Sequence, residues 1–195
     1  LQEFVASDMA VALSDRQAPP GRDGAIVRRR LISHGPGASP MVAVLAVDIT
    51  TASGAQVLRD TLAALRPGVR RDDLNEGDRI RLVLLPTGTS DKAREMAATL
   101  VAMHHEDKLF ERLTKLGKRQ PTPGRLLLGV STPMTDKITA FAKLPSTELQ
   151  ARSYGTMATA LGMKAPELLL NGIRVHTPGL RSQKKIEEML QIALT

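Results

Sequence analysis

A continuous apolar run at residues 41–49 and a second strand-like run at residues 78–86, uncharged from Leu82 onwards, dominate the first half of the chain. Runs that are apolar at nearly every position are typical of strands buried on both faces of a sheet. Between them, apolar residues recur at helical spacing over residues 53–65, and Pro67-Gly68 ends that helix. The pattern therefore predicts a buried strand, a helix and a second buried strand.

The middle of the chain has a helical pattern over residues 89–117. Ser90 is predicted to be its N-cap, because a serine side chain there accepts a hydrogen bond from a free amide of the first turn. A break near residues 105–107 divides the stretch into two helices. Residues 118–133 are predicted to be irregular and to carry an apolar patch, which marks a partner surface if it is exposed. The patch consists of Leu126, Leu127, Leu128 and Val130.

Three further helices are predicted at residues 134–144, 146–161 and 181–194. The second is predicted to begin with Ser146 as its cap, and the third is amphipathic. Residues 165–175 are predicted to form a tight hairpin, because Asn171-Gly172 accepts the positive φ angles of a two-residue turn.

The order of these elements indicates the architecture. A strand–helix–strand unit followed by helices, an antiparallel hairpin and a last helix is the thioredoxin-like arrangement, an α/β fold with a central mixed sheet flanked by helices. Residues 1–24 are predicted to be an N-terminal helical arm and linker. Residues 25–195 are predicted to be the thioredoxin-like domain, which begins with a strand over residues 25–33 and contains a helical insertion at about residues 103–160.

The composition excludes several kinds of chemistry. The chain has 195 residues and no cysteine, so it contains no thiol nucleophile, thiolate metal site or disulfide. The net charge is +7, but the basic residues are scattered and only three Phe and one Tyr are available for base stacking, so nucleic-acid binding is not expected. No apolar run approaches the roughly 20 residues of a membrane helix, and no signal peptide is recognised.

Three stretches resemble the catalytic domain of the bacterial periplasmic disulfide isomerases and related thiol-disulfide oxidoreductases. In that family a buried strand ends in Asp, and a Cys-x-x-Cys motif begins the next helix. Residues 46–54 (AVDITTASG) resemble this junction, and residues 79–102 resemble the family's second strand, Pro-ended turn and helix. Residues 158–179 resemble the segment that carries a cis-proline, an Asn-Gly hairpin and a Pro-Gly turn.

The motif position is occupied by Thr51, Ala52, Ser53 and Gly54. The resemblance places Thr51 where the attacking cysteine would stand and Gly54 where the second cysteine would stand. A threonine hydroxyl does not ionise near neutral pH and cannot exchange with a disulfide. Thiol–disulfide activity is therefore excluded, and the expected role of Thr51 or Ser53 is to cap the helix.

The resemblance also implies a cis peptide bond at Ala165–Pro166, on a loop that faces the motif helix. In the family this loop holds extended substrate backbone. Thr51, Ser53, Ala165 and Pro166 are therefore a candidate peptide-binding groove that would survive the loss of the cysteines.

Together these inferences predict a redox-inactive thioredoxin-fold protein that acts by binding other proteins and needs no cofactor or metal. The resemblance implies a periplasmic protein and a chaperone-like or scaffold role in an envelope assembly, such as a secretion or conjugation system. The N-terminal arm is a candidate for homodimerisation.

Two alternatives stay open. One is a hydrolase or transferase in which a histidine activates the hydroxyl of Thr51 or Ser53. The histidines are His34, His104, His105 and His176. Adjacent histidines on a helix point about 100° apart, so His104 and His105 cannot jointly hold a metal ion. The other alternative is a basic nucleic-acid-associated module.

Overall fold

The computed structural model describes residues 31–35, 41–65, 80–116, 120–175 and 182–194. The strands in these ranges are β1 (Ser33–His34), β2 (Met41–Val47), β3 (Ile80–Pro86), β4 (Glu167–Leu170) and β5 (Ile173–Val175). They form one mixed sheet in the order β1-β3-β2-β4-β5. β2 and β3 are parallel, and each of the other neighbouring pairs is antiparallel. The mixed sheet predicted from the order of elements is confirmed.

The two central strands form the middle of the core. β2 and β3 pair in register from Met41 opposite Ile80 to Val47 opposite Pro86. Both strands are buried at every position except the second, which is half-buried. The predicted burial on both faces is therefore confirmed, although β2 ends two residues before the predicted boundary because the chain turns at Asp48.

Helices cover the sheet. They are α1 (Ala52–Leu65), α2 (Asp91–His105), α3 (Leu109–Lys115), α4 (Pro123–Leu127), α5 (Thr132–Ala142), α6 (Pro145–Ala160) and α7 (Gln183–Leu194). α1 packs against α7 and α3, whereas α2 packs against α5 and α6. None of the helices in the described ranges is long and apolar enough to cross a bilayer.

The helix boundaries confirm some of the predicted signals. The side chain of Ser90 accepts a hydrogen bond from the amide of Ala93 at 3.1 Å, which confirms it as the N-cap of α2. The predicted break follows, and Asp107, with a positive φ of 54°, lies between α2 and α3.

Two predicted boundaries are wrong. The segment predicted to be irregular contains α4, which Thr122 caps by accepting a hydrogen bond from the amide of Arg125 at 3.2 Å. The next residue, Pro123, suits the first helical position because no hydrogen bond is required of its nitrogen. Ser146 is not the cap of α6, because that helix already begins at Pro145 and Leu144 is its N-cap.

The Asn-Gly hairpin is confirmed and is tied to the centre of the sheet. Asn171 and Gly172 have φ angles of 47° and 81°, as a two-residue turn between β4 and β5 requires. The side chain of Asn171 accepts a hydrogen bond from the amide of Val42 at 2.8 Å. Its own amide donates to the Val42 carbonyl at 2.9 Å, so the turn is joined to β2 as well as closing the hairpin.

Tyr154 joins α6 to the segment before β1. Its side chain is 1% exposed, and its hydroxyl accepts a hydrogen bond from the Gln150 side chain at 2.9 Å and is also hydrogen-bonded to the backbone of Ile32. Burial raises the pKa of Tyr154 to about 12. The hydrogen bond to Ile32 therefore connects α6 to the chain that enters β1, the strand at one edge of the sheet.

Several predictions fall on residues outside the described ranges. They concern the arm over residues 1–24, most of the strand over residues 25–33, the Pro67-Gly68 helix stop and His176.

Candidate functional site

Residues 48–54 lead from β2 into the first turn of α1, and we call them the motif turn. Hydrogen bonds of Thr51 close this turn. Its hydroxyl donates to the Asp48 carbonyl at 2.8 Å and accepts from the Gly54 amide at 3.1 Å. Thr51 directly precedes α1 and is therefore its N-cap, as predicted. Because the hydroxyl both donates to the backbone of Asp48 and accepts from the backbone of Gly54, it is poorly placed to act as a nucleophile.

Asp48 holds the other side of this turn. One carboxylate oxygen accepts hydrogen bonds from the amide and the hydroxyl of Thr50, at 3.0 and 2.6 Å. The Asp48 side chain therefore makes a local contact within the turn. The other carboxylate oxygen faces Gly88 so closely that a Cβ on that glycine would stand 2.7 Å from it. The loop that follows β3 therefore packs directly against the Asp48 carboxylate.

Gly54 is the residue that the sequence resemblance places at the second cysteine position, and the structure leaves no room for a side chain there. A Cβ on this glycine would overlap the carbonyl oxygen of Asp48 and would stand 2.9 Å from the hydroxyl oxygen of Thr51. The backbone of the turn thus occupies the volume that a side chain at residue 54 would need. The sequence shows that the second cysteine is absent, but only the structure shows that its space is filled.

The proline loop has the predicted cis peptide bond between Ala165 and Pro166. The loop is braced by Glu167, which is 7% exposed. Its carboxylate accepts a hydrogen bond from the Lys164 amide at 2.7 Å and forms an ion pair with Arg174 at 3.2 Å. Sequence reasoning did not identify Glu167, because its role depends on the hairpin that brings Arg174 beside it.

The pairing of β4 with β2 relates the proline loop to the motif turn. Glu167 pairs with Ala46, so Ala165 and Pro166 come next to the chain that leaves β2 towards Thr51. The hydroxyl oxygens of Thr51 and Ser53 are 3.5 Å apart. Thr51, Ala52, Ser53 and Ala165 are exposed, and Pro166 is half-buried. The predicted groove residues therefore lie at one end of the sheet, beyond the carboxyl end of β2.

The three histidines of the described ranges lie towards the opposite end of the sheet, where β2 begins. His34 pairs with Leu82, and Leu82 pairs with Ala43, about 13 Å before the end of β2 at the usual rise of a strand. His104 and His105 belong to the last turn of α2, about 20 Å along that helix from its start. This placement argues against a catalytic pair of Thr51 or Ser53 with one of these histidines.

These histidines instead contact aromatic rings. His34 stacks on Phe110 with ring centres 4.6 Å apart, and His104 meets the same ring edge-on at 6.2 Å. His105 stacks on Phe141 at 4.7 Å. No group of three or more His, Asp or Glu side chains in the described part of the chain is arranged to hold a metal ion.

The stacked His34 predicts a pH dependence of stability. Burial lowers the pKa of His34 below its ordinary value of 6.5, so an unfolded chain takes up this proton more readily than the folded one. The stabilisation is complete above about pH 6.5 and should be lost as the pH falls towards the folded pKa. Urea unfolding at about pH 7.5 and about pH 5 measures the loss. His34→Phe keeps a ring on Phe110, and an unchanged pH dependence in this variant would contradict the assignment.

A cavity of about 680 Å³ lies beside the motif turn, between α2, α5 and α6. Its buried lining includes Ala97, Ala98, Ile138 and Ala151, and one end reaches Gly88 next to Asp48. The charged residues around it are Arg94, Lys143, Arg152, Asp91, Glu95 and Glu148. The two signs balance, so the cavity has no charge preference. Sequence reasoning missed it because its walls come from separate helices.

The sheet order, the parallel unit β2–α1–β3 and the cis-proline before β4 define a thioredoxin-like fold, with helices α3 to α6 between α2 and β4. No protein-family model matches the sequence, and no curated protein sequence matches it significantly. Solved structures of thioredoxin-like oxidoreductases do match the fold.

Oxidised BdbD from Bacillus subtilis superposes with a TM-score of 0.67 at 14% identity, over 91% of this chain and 97% of that one. A thioredoxin-like oxidoreductase from Silicibacter pomeroyi superposes at 0.63 and 14% identity, over 83% and 91% of the two chains. Oxidoreductase DsbA from Xylella fastidiosa superposes at 0.56 and 15% identity, over 82% and 87%. The chain therefore has the fold of DsbA-type oxidoreductases but no cysteine with which to exchange disulfides.

Proposed function

We propose that this protein is a redox-inactive binding protein that holds extended segments of other proteins in the groove of Thr51, Ser53, Ala165 and Pro166. The observation that carries the proposal is the exposure of Thr51, Ser53 and Ala165 near the same end of the sheet, where β2 finishes. An extended peptide is held mainly by hydrogen bonds to its backbone, so the groove must offer unpaired backbone of its own. β4 pairs with β2 only from Glu167 onwards, so the backbone of Ala165 lies outside the ladder.

The rigidity of the groove supports the same proposal. Hydrogen bonds of Thr51 and Asp48 order the motif turn, and the Glu167 carboxylate orders the proline loop by accepting a hydrogen bond from the Lys164 amide. A groove that is already ordered loses little conformational entropy when a peptide binds, and this favours affinity. The same hydrogen bonds supply no reactive group, so the arrangement favours holding a chain over chemically changing it.

The cellular role is proposed from the fold. The solved neighbours are oxidoreductases, and a cysteine-free chain with their fold would retain a protein-binding surface without the redox step. We place the protein in the periplasm as a chaperone-like or scaffold component of an envelope assembly, such as a secretion or conjugation system. The N-terminal arm, residues 1–24, would join two copies.

The test measures binding of an unfolded, carboxymethylated model protein by fluorescence anisotropy. Ala165→Arg places a long side chain at an exposed position of the groove, and binding should weaken about tenfold. Ser53→Arg should have a similar effect from the other side.

Ala63→Arg is the matched control, because Ala63 is an exposed alanine of α1 outside the groove. It adds the same side chain and charge and should leave binding unchanged. Circular dichroism checks that both variants are folded. If the Ala165→Arg and Ala63→Arg variants then bound the model protein with equal affinity, the groove proposal would be wrong.

A further inference from the structure

A small cavity between α3 and α4 is positively charged. It has a volume of about 200 Å³, and we call it the basic pocket. Its lining consists of Arg112, Lys115, Leu116, Arg125 and Leu128. Three cations and two leucines therefore surround a space of side-chain size, and no acidic side chain lines it.

The surrounding sequence strengthens this charge. The described residues 108–116 and 120–125 contain four Lys or Arg residues and one Glu, a local excess of three positive charges. The single acid, Glu111, forms an exposed ion pair with Lys115 at 2.6 Å. Such an exposed pair contributes little to stability, so an incoming carboxylate can compete for the lysine.

Leu128 is the apolar element of the pocket. Leu126, two residues earlier, is fully buried and anchors α4, whereas Leu128 is 67% exposed. Gly129 follows with a positive φ of 76°, and the guanidinium of Arg112 lies against this turn. The apolar patch predicted over residues 126–130 is therefore divided between core and surface, and its exposed leucine stands beside cations.

The basic pocket is linked to the motif turn. Arg125 donates a hydrogen bond to the Gln120 carbonyl at 3.0 Å, and the Gln120 side chain donates to the Thr50 carbonyl. α3 also packs directly against α1. A ligand in the pocket would therefore lie on a surface continuous with the start of α1, although the pocket shares no residue with the proposed groove.

The chemistry of the lining identifies the kind of ligand. Three cations with exposed aliphatic surface complement a peptide in which an aliphatic side chain lies between carboxylates. A single-stranded nucleic acid would require aromatic stacking surfaces, and none lines the pocket. An anionic membrane would require a broad apolar face, and one exposed leucine does not supply it.

We propose that the basic pocket is a docking site for an acidic segment of a partner protein, whose aliphatic side chain inserts between Leu116 and Leu128 while its carboxylates pair with Arg112, Lys115 and Arg125. The site stands even if the groove at the motif turn binds nothing, because the two surfaces have no residue in common.

The experiment uses a labelled synthetic peptide in which one leucine lies between aspartates and glutamates, and it measures affinity by fluorescence anisotropy. Arg112→Glu with Lys115→Glu should weaken binding about tenfold or more. Leu128→Ser changes no charge and should weaken binding about threefold or more. Replacing the peptide's leucine with serine should have the same effect as Leu128→Ser and should add nothing to it.

Lys143→Glu with Arg152→Glu is the matched control. It changes the net charge equally but alters exposed cations of the larger cavity. This variant should keep the peptide affinity within about twofold. Circular dichroism confirms that each variant is folded.

If both double variants weakened peptide binding equally, net charge alone would explain the effect and the proposed site would be wrong. Tighter binding of single-stranded RNA or of anionic vesicles than of the peptide would also overturn it, as would absence of peptide binding to the unmodified protein. The basic pocket would be supported if the Ala165→Arg variant still bound the peptide and the Arg112→Glu/Lys115→Glu variant did not. This result would neither support nor contradict the separate proposal for the groove.

Discussion

Replacing Gly54 with alanine should lower the free energy of unfolding by about 2–4 kcal/mol. The new Cβ would overlap the carbonyl oxygen of Asp48, so the motif turn must open. Overpacking costs about 1–3 kcal/mol, and the two hydrogen bonds of the Thr51 hydroxyl contribute about 1 kcal/mol each. The better helix propensity of alanine returns only about 1 kcal/mol. Urea unfolding followed by far-ultraviolet circular dichroism measures the change.

Gly155→Ala is the control for this prediction. Gly155 lies inside α6, and a Cβ there would meet nothing within 4 Å. Here the helix propensity acts alone, so the substitution should raise stability by about 0.5–1 kcal/mol. If both variants were stabilised, the packing of the motif turn described here would be wrong.

The second large effect is expected at Tyr154. Tyr154→Ala removes a fully buried ring and should lower the free energy of unfolding by about 3–5 kcal/mol. Tyr154→Phe keeps the ring and loses only the hydroxyl that contacts Gln150 and the backbone of Ile32, so it should cost about 1–2 kcal/mol. The difference between the variants separates ring packing from hydrogen bonding. Equal losses would show that the ring itself contributes nothing.

An optical titration checks the burial of Tyr154 without any substitution. It is the only tyrosine of the chain, so the absorbance of tyrosinate reports it alone. Its pKa is raised to about 12 in the folded protein, above the ordinary value of 10. The associated stabilisation is complete below about pH 10 and is lost as the pH rises from there towards 12. Ionisation at the ordinary pKa while the protein is still folded would contradict the buried position.

The fold was largely predictable because its strongest signals are local. The apolar runs predicted β2 and β3, the Asn171-Gly172 pair predicted the hairpin, and the hydroxyl of Ser90 predicted the start of α2. Each of these signals depends on a few neighbouring residues. The family resemblance added the cis bond before Pro166, which composition and spacing could not have supplied.

The errors came where several start signals compete within a few residues. Around α6, both Leu144 followed by Pro145 and Ser146 are plausible starts, and the proline determines the boundary because its fixed φ suits the first turn. Around α4, a stretch rich in Pro and Gly indicated irregular structure, although Thr122 followed by Pro123 is itself a helix start.

The residue types of the candidate site and, through the resemblance, the cis bond of the proline loop were predictable, but the packing around them was not. Thr51 and Gly54 show that thiols are absent, but the filled space at Gly54 depends on where the Asp48 carbonyl points. Glu167 and the basic pocket depend on contacts between elements distant in sequence or separated by a turn. No pattern of neighbouring residues carries that information.

The carbonyl oxygen of Asp48 has a consequence for any attempt to engineer a dithiol into this chain. It accepts the Thr51 hydroxyl and fills the space beside Gly54, so substitutions at residues 51 and 54 should be energetically coupled. A cysteine introduced at residue 54 alone would lower stability, and with no second thiol in the chain it could not form an internal disulfide. A pair of cysteines at residues 51 and 54 would fit only if the turn opened, so a redox-active variant would need compensating changes at Asp48 or its neighbours.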